Sequence, residues 1–154
     1  MNKSISERLA GLGIEIPVAA APAANYLTYA QTGKLVFTAG QLPLKDGKLI
    51  STGLLGRDLN ASDGQLAARQ CAINILAQLQ AALGDLERIV RFVKITSFVA
   101  SAPDFTMQHL VTNGASDLLV AILGDRGKHA RSAVGVASLP MNAPVEIEAI
   151  VEVE

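Results

Sequence analysis

Apolar and acidic residues alternate along the C-terminal segment. Val145, Ile147, Ala149, Val151 and Val153 fall on one side, and Glu146, Glu148, Glu152 and Glu154 on the other, with Ile150 among them. A period of two sustained over 145–153 predicts a strand with one face in the core. Residues 89–99 alternate as well, which predicts Val93, Ile95 and Val99 on one side and Phe92, Thr96 and Phe98 on the other. Between 62 and 83 the period changes. Ala68, Cys71, Ala72, Ile75, Leu76, Leu79, Ala82 and Leu83 recur at i, i+3, i+4 and i+7, the stripe of an amphipathic helix. Ser62 and Gln65 fit a capping box at its start and Gly84 a C-terminal stop, while Gln70, Asn74 and Gln78 fall opposite the stripe.

A second long helix is predicted from Ser101-Ala-Pro103-Asp104 to about 123, with Met107, Leu110, Val111, Gly114, Leu118 and Ile122 as its stripe. A short helix over 4–12, capped by Ser4 or Ser6, leads into an Ala/Pro-rich extended strap at 14–25. Strands are predicted at 26–31 and 34–39, joined across Thr32-Gly33, and at 132–138. Asp46-Gly47 marks a tight turn between Leu44 and Leu49. The chain reads as one domain over 1–154, with the N-terminal helix and strap in 1–23 and the core in 24–154. The order of elements predicts an α+β fold, a mixed β-sheet covered on one face by two long helices. Yet the strands at 34–39 and 89–99 carry apolar groups on both sides. With no helix to spare, the second face calls for another copy of the chain.

Composition narrows the function classes. Half of the 154 residues are hydrophobic and 18% are charged, so global disorder is excluded. Lys plus Arg is 13 against 14 Asp plus Glu, a net charge of −1 that lacks the basic excess of a dedicated nucleic-acid binder. Cys71 is the single cysteine, so no intramolecular disulfide can form, and its place on the helix stripe predicts a buried structural thiol. The N-terminus has no apolar core of a signal peptide and no stretch is long enough to span a bilayer, so a cytoplasmic protein is expected.

Several catalytic patterns fail. Gly127-Lys128 is followed by His129 and lacks the phosphate-loop spacing; His109 and His129 have no ligand-spaced partner, so no metal is expected. Arg57, Arg69 and Arg91 read as solvated face residues. Arg131, just ahead of an apolar strand, reads either as a strand-ending cation or as a guanidinium placed to grip a carboxylate. Glu146 and Glu148 read as a solvated face unless the second sheet face is covered, in which case each needs a partner or a role.

Gly33-Lys-Leu-Val-Phe-Thr-Ala-Gly40-Gln41-Leu-Pro43, Ala130-Arg131-Ser132, Leu139-Pro140 and Val145-Glu146-Ile-Glu148-Ala-Ile together resemble the reactive-intermediate deaminase family (RidA, YjgF type, also called endoribonuclease L-PSP). The resemblance runs from about residue 24 to the C-terminus and marks a longer branch of that family. It implies a chorismate-mutase-like fold and a homotrimer whose sheets form a central barrel with clefts between subunits. It also implies cofactor-free hydrolysis of 2-imino or 2-enamino acids to 2-oxo acids and ammonia. Arg131 would hold the substrate carboxylate and Glu146 would activate water. Tyr26, Gly40, Ser132, Ala133 and Asn113 would line the cleft. The family commonly has Cys at the place of Ala133 and Ser at that of Ala39, and both departures remove polar groups. Two other readings therefore stand beside the enzyme: a trimer that binds a 2-oxo acid or other carboxylate without turnover, and an endoribonuclease or translation inhibitor, which the charge balance opposes.

Overall fold

The computed structural model describes residues 2–154. Its elements are α1 (Ile5–Gly11), β1 (Tyr29–Thr32), β2 (Leu35–Thr38), β3 (Leu44–Lys45), β4 (Lys48–Leu49), α2 (Ala61–Leu83), β5 (Ile89–Ala100), α3 (Gln108–Leu123), β6 (Ala130–Val136) and β7 (Val145–Val153). Five strands form one sheet in the order β1-β2-β7-β5-β6, and β3-β4 is a separate hairpin. The β5–β6 pair is parallel and the other pairs antiparallel, so the sheet is mixed. α2 and α3 pack on each other and cover one face of the sheet. The α+β class expected from the element order is the observed one.

β7 shows why the sheet has two faces of different kinds. Val145, Ile147, Ala149, Val151 and Val153 are buried beneath the helices, whereas Glu146, Ile150 and Glu152 are half-buried and Glu148 is exposed. On β5 the expected alternation breaks. Register shifts between Ile89 and Arg91 and between Phe92 and Lys94 reset which side each residue faces. Phe92 therefore lies in the helix-side core at 1% exposure, on the same side as Ile95 and Val99 rather than with Thr96 and Phe98.

The helices begin differently from expectation. Asn60 caps α2, accepting the Asp63 N–H while the Asp63 carboxylate accepts the Asn60 N–H, so the reciprocal box sits two residues ahead of Ser62/Gln65. Gly84 ends α2 in the left-handed region, as expected. α3 starts at Gln108, after a turn through Pro103-Asp104, and buries Val111, Ala115, Leu118, Leu119 and Ile122; Met107 and Leu110 are exposed. Gly114 belongs to a contact with α2, where a Cβ would run into the Gln65 carbonyl and lie 2.8 Å from its Cα. Only glycine lets the two helix backbones approach so closely.

The polar side of α2 is covered. Asn74 Nδ2 donates to the carbonyls of Leu42 and Leu44, at 2.9 Å each, and pins the hairpin. Gln78 is 2% exposed and donates to the Ala20 carbonyl at 3.1 Å, so the strap lies along the helix with Ile14 and Ile16 against the core. α1 is held at its start by Glu87, whose Oε1 accepts the Ile5 N–H at 2.6 Å. Cys71 is fully buried and burial pushes its thiol well above the ordinary range, in keeping with a structural role. Among the described residues no helix is long and apolar enough to cross a membrane.

Candidate functional site

The uncovered sheet face is assembled by register. Phe37 stands beside Ile150 on β7; Thr96 stands beside Glu148, and Phe98 beside Glu146. On the far side of β5, Ser132 pairs with Thr96 and Val134 with Phe98. The face thus mixes apolar groups with a row of carboxylates. Glu152 is neutralised by Arg91 Nε at 2.8 Å. Glu146 has no hydrogen-bond or ion-pair partner among the described residues. Burial, and then the neighbouring Glu148, raise its pKa above the ordinary glutamate value.

Gly40 creates the space for that carboxylate. Past Thr38 the β2–β7 ladder gains a residue before Gln41 pairs with Ile147 in both directions, at 2.8 and 3.1 Å. The Thr38 hydroxyl accepts the Ala149 N–H at 3.0 Å within the irregular stretch. A Cβ on Gly40 would strike the Glu146 carboxylate and lie 2.8 Å from its Cδ. The Gly of the G-Q-x-P stretch is needed here for room.

Arg131 lies on the other side of the sheet. It pairs with Ile95, whose side chain is in the helix-side core, and it points to α3. Nη1 donates to Ser116 Oγ at 3.1 Å and Nη2 to the His109 carbonyl at 3.0 Å. Ser116 Oγ is also 2.9 Å from His129 Nε2, and His129 Nδ1 is 2.6 Å from the Gly127 carbonyl. Asn113, half-buried, falls one turn from both His109 and Ser116 on the same side of α3. The expected residues thus form two groups within one chain. Glu146, Gly40 and Ser132 belong to the uncovered face, and Arg131, Asn113 and Ala133 to the helix side of the β6 edge. Tyr26 belongs to neither: it precedes β1, half-exposed, and its hydroxyl accepts the Ala23 N–H at 3.4 Å.

Ser116 and His129 were not singled out as site residues by sequence. Their signal was present, since His109 and Ser116 are spaced i, i+7 on a helix and His129 and Arg131 i, i+2 beside a strand. Only the docking of β6 on α3 makes those spacings meet. A separate cleft of about 1080 Å³ lies between α1, the strap, the β3–β4 hairpin and α2, away from Arg131 and Glu146. Among the described residues no group of three or more His, Cys, Asp or Glu is placed to hold a metal ion.

The chain matches the family model "YjgF/chorismate mutase-like, putative endoribonuclease" over residues 6–153. It is 50% identical to protein TCP17 of Trypanosoma cruzi over 149 residues, 96% of this chain and 93% of that protein. The crystal structure of protein Atu1372 from Agrobacterium tumefaciens matches with a TM-score of 0.92 at 54% identity, covering 97% of this chain and 92% of that one. The 2-iminobutanoate/2-iminopropanoate deaminase of Salmonella typhimurium is 36% identical over 135 residues, 84% of this chain and 90% of that enzyme. The chain belongs to the YjgF/chorismate mutase-like family.

Proposed function

We propose that this chain forms a homotrimer that hydrolyses small 2-imino or 2-enamino acids to 2-oxo acids and ammonia, without a cofactor. The observation that carries the reading is the separation of Arg131 and Glu146 on opposite sides of one sheet, each with unused capacity. Arg131 spends two N–H groups on α3 and keeps three for a ligand. Glu146 sits partnerless beside Gly40 with a raised pKa. A neighbouring copy, packed by its own sheet against Phe37, Phe98, Val134 and Ile150, would bring one chain's Glu146 to another chain's Arg131. The guanidinium grips the substrate carboxylate and fixes the imine carbon. Glu146 takes one proton from water as the oxygen adds to that carbon and passes it to the nitrogen, giving a carbinolamine. It then takes the hydroxyl proton as C=O forms and the C–N bond breaks, and passes it to the nitrogen, which leaves as ammonia. The raised pKa suits a group that must both accept and donate. The 36% identity to an imine deaminase supports this substrate class.

The test is ammonia release from enzymatically generated 2-iminobutanoate. Wild type should accelerate release, and Glu146→Gln should bring the rate near the uncatalysed one while 2-oxobutanoate still binds. Arg131→Ala should weaken 2-oxobutanoate binding by roughly 30- to 1000-fold, about 2–4 kcal/mol for a charge-assisted fork. A second reading, a carboxylate binder without turnover, is favoured by one observation. Ala133 and Ala39 offer methyl groups where the family resemblance leads one to expect a thiol and a hydroxyl. Equal, uncatalysed rates for wild type and Glu146→Gln would select that reading. RNA cleavage finds no support in the row of glutamates on the uncovered face, which would repel phosphates.

A further inference from the structure

Arg131 is held by a directed chain of hydrogen bonds that runs through Ser116 and His129. The Gly127 carbonyl can only accept, so His129 Nδ1, 2.6 Å away, carries a proton. In the neutral ring Nε2 then offers a lone pair, and Ser116 Oγ, 2.9 Å away, donates its hydroxyl proton to it. With its proton so committed, Ser116 Oγ presents lone pairs to Arg131 Nη1 at 3.1 Å. The His109 carbonyl takes Nη2 at 3.0 Å. Both ends of the guanidinium fork are thereby tied to α3, and rotation about the last side-chain bonds is restricted.

We propose that Ser116 and His129 are positioning residues that fix the plane of the Arg131 guanidinium and with it the direction in which a ligand carboxylate is gripped. The inference rests on the reading of Arg131 as the carboxylate anchor. Two features beyond the distances support it. His129 is half-buried, and burial together with the nearby Arg131 charge outweighs the Gly127 hydrogen bond and holds its pKa below the ordinary value, which favours the neutral ring that accepts from Ser116. The chain also ties three separate segments to one point: the middle of α3, the turn at Gly127 and the start of β6. An arginine on an exposed edge strand would otherwise sample many rotamers, and each would have to be given up when a carboxylate binds.

The experiment uses the full chain, with pyruvate as probe and binding followed by calorimetry. Arginine side-chain nitrogen NMR reports Nη rotation, and a melting curve reports stability. Ser116→Ala should weaken pyruvate binding about tenfold and speed Arg131 Nη rotation, with the melting midpoint nearly unchanged. Ser116→Thr, which keeps the hydroxyl, should restore both readings to within about twofold of wild type. His129→Leu removes the acceptor but leaves Ser116 in place, so it should give a smaller loss, and it serves as the second variant should Ser116→Ala fold poorly. If Ser116→Ala and His129→Leu bind pyruvate as wild type does while Arg131→Ala does not, the positioning role is overturned and the anchor stands. If Arg131→Ala itself binds pyruvate as well as wild type, the anchor reading falls and takes the positioning role with it.

Discussion

The two faces of the five-stranded sheet are made from the same strands and obey different rules. On the helix side β7 presents Val145, Ile147, Ala149, Val151 and Val153, all at 2% exposure or less, to α2 and α3. On the other side the same strand presents Glu146, Glu148, Ile150 and Glu152, which no helix among the described residues covers. One face holds the fold together. The other keeps apolar groups and an unpaired carboxylate in reserve, which is a poor use of surface unless something covers it. The partnerless Glu146 and the exposed Phe37 and Val134 share a face, so on the proposed reading the site is completed only by assembly.

The largest contrast should come from single changes on the two faces. Ile147→Ala empties a fully buried position and should cost about 2–5 kcal/mol of folding stability in denaturant titration. Phe98→Glu, on the uncovered side of the adjacent strand, should leave the folded chain's far-UV spectrum intact. If the proposed trimer forms, its mass by light scattering should fall from that of three protomers to that of one, and the proposed deamination should be lost with the cleft. A Phe98→Glu chain that remains trimeric would remove the uncovered face from the assembly. An Ile147→Ala chain as stable as wild type would contradict the core assignment.

How much of this was visible in sequence follows from the range of the interactions involved. β7 was legible because a regular strand with one buried face writes its environment directly into alternation. β5 was legible from Ile95 onward but not before it, because register shifts near Arg91 and Val93 reverse parity, and a bulge leaves no mark in a hydrophobic pattern. The start of α2 was expected at Ser62/Gln65, but the box forms at Asn60/Asp63, where the backbone of Asn60 is extended. On α3 the expected stripe holds at Val111, Leu118 and Ile122 and at Gly114, which meets the α2 backbone, but Met107 and Leu110 are exposed while Ala115 and Leu119 are buried. Arg131 and Glu146 stayed ambiguous by pattern alone, and only the family resemblance weighted them toward a site. Ser116 and His129 needed the docking of β6 against α3, which no local pattern encodes.

A middle-sized effect concerns the N-terminal latch, which tests how much the helix side depends on elements outside the sheet. Glu87 accepts the Ile5 N–H and pairs with Arg126 Nη2 at 3.0 Å. The Ile5 N–H first, and Arg126 second, lower its pKa below the ordinary value. A lowered carboxyl contributes stability above its unfolded-state pKa and loses it as pH falls through the folded-state value. Because Glu87 is largely exposed and water screens it, Glu87→Gln should cost about 0.5–1 kcal/mol near neutrality and nothing in acid. Hydrogen exchange should locate the loss in α1. Equal exchange of α1 amides in wild type and variant would show that Ile5 and Leu9 hold the helix without the latch.

The smallest expected effect has the opposite sign and belongs to the uncovered face. Burial and then Glu148 raise the Glu146 pKa, so the folded chain binds that proton more tightly than the unfolded one does. Below the unfolded-state pKa of glutamate, wild type and Glu146→Gln should be equally stable, since both carry a neutral side chain. As pH rises through the folded-state pKa the wild type must ionise at a cost the glutamine does not bear, so the variant should become the more stable protein. Because Glu146 is only half-buried in one chain, water screens much of the cost and the gain should stay near or below 0.5 kcal/mol for a dissociated protomer such as Phe98→Glu/Glu146→Gln compared with Phe98→Glu. In the assembled protein a second sheet would exclude that water, and the same substitution should stabilise more. Matched pH titrations of stability on the two backgrounds measure the difference. Equal gains in both would mean that Glu146 faces solvent in the assembly, and a gain in acid rather than above neutrality would mean that its proton is held more weakly in the folded chain.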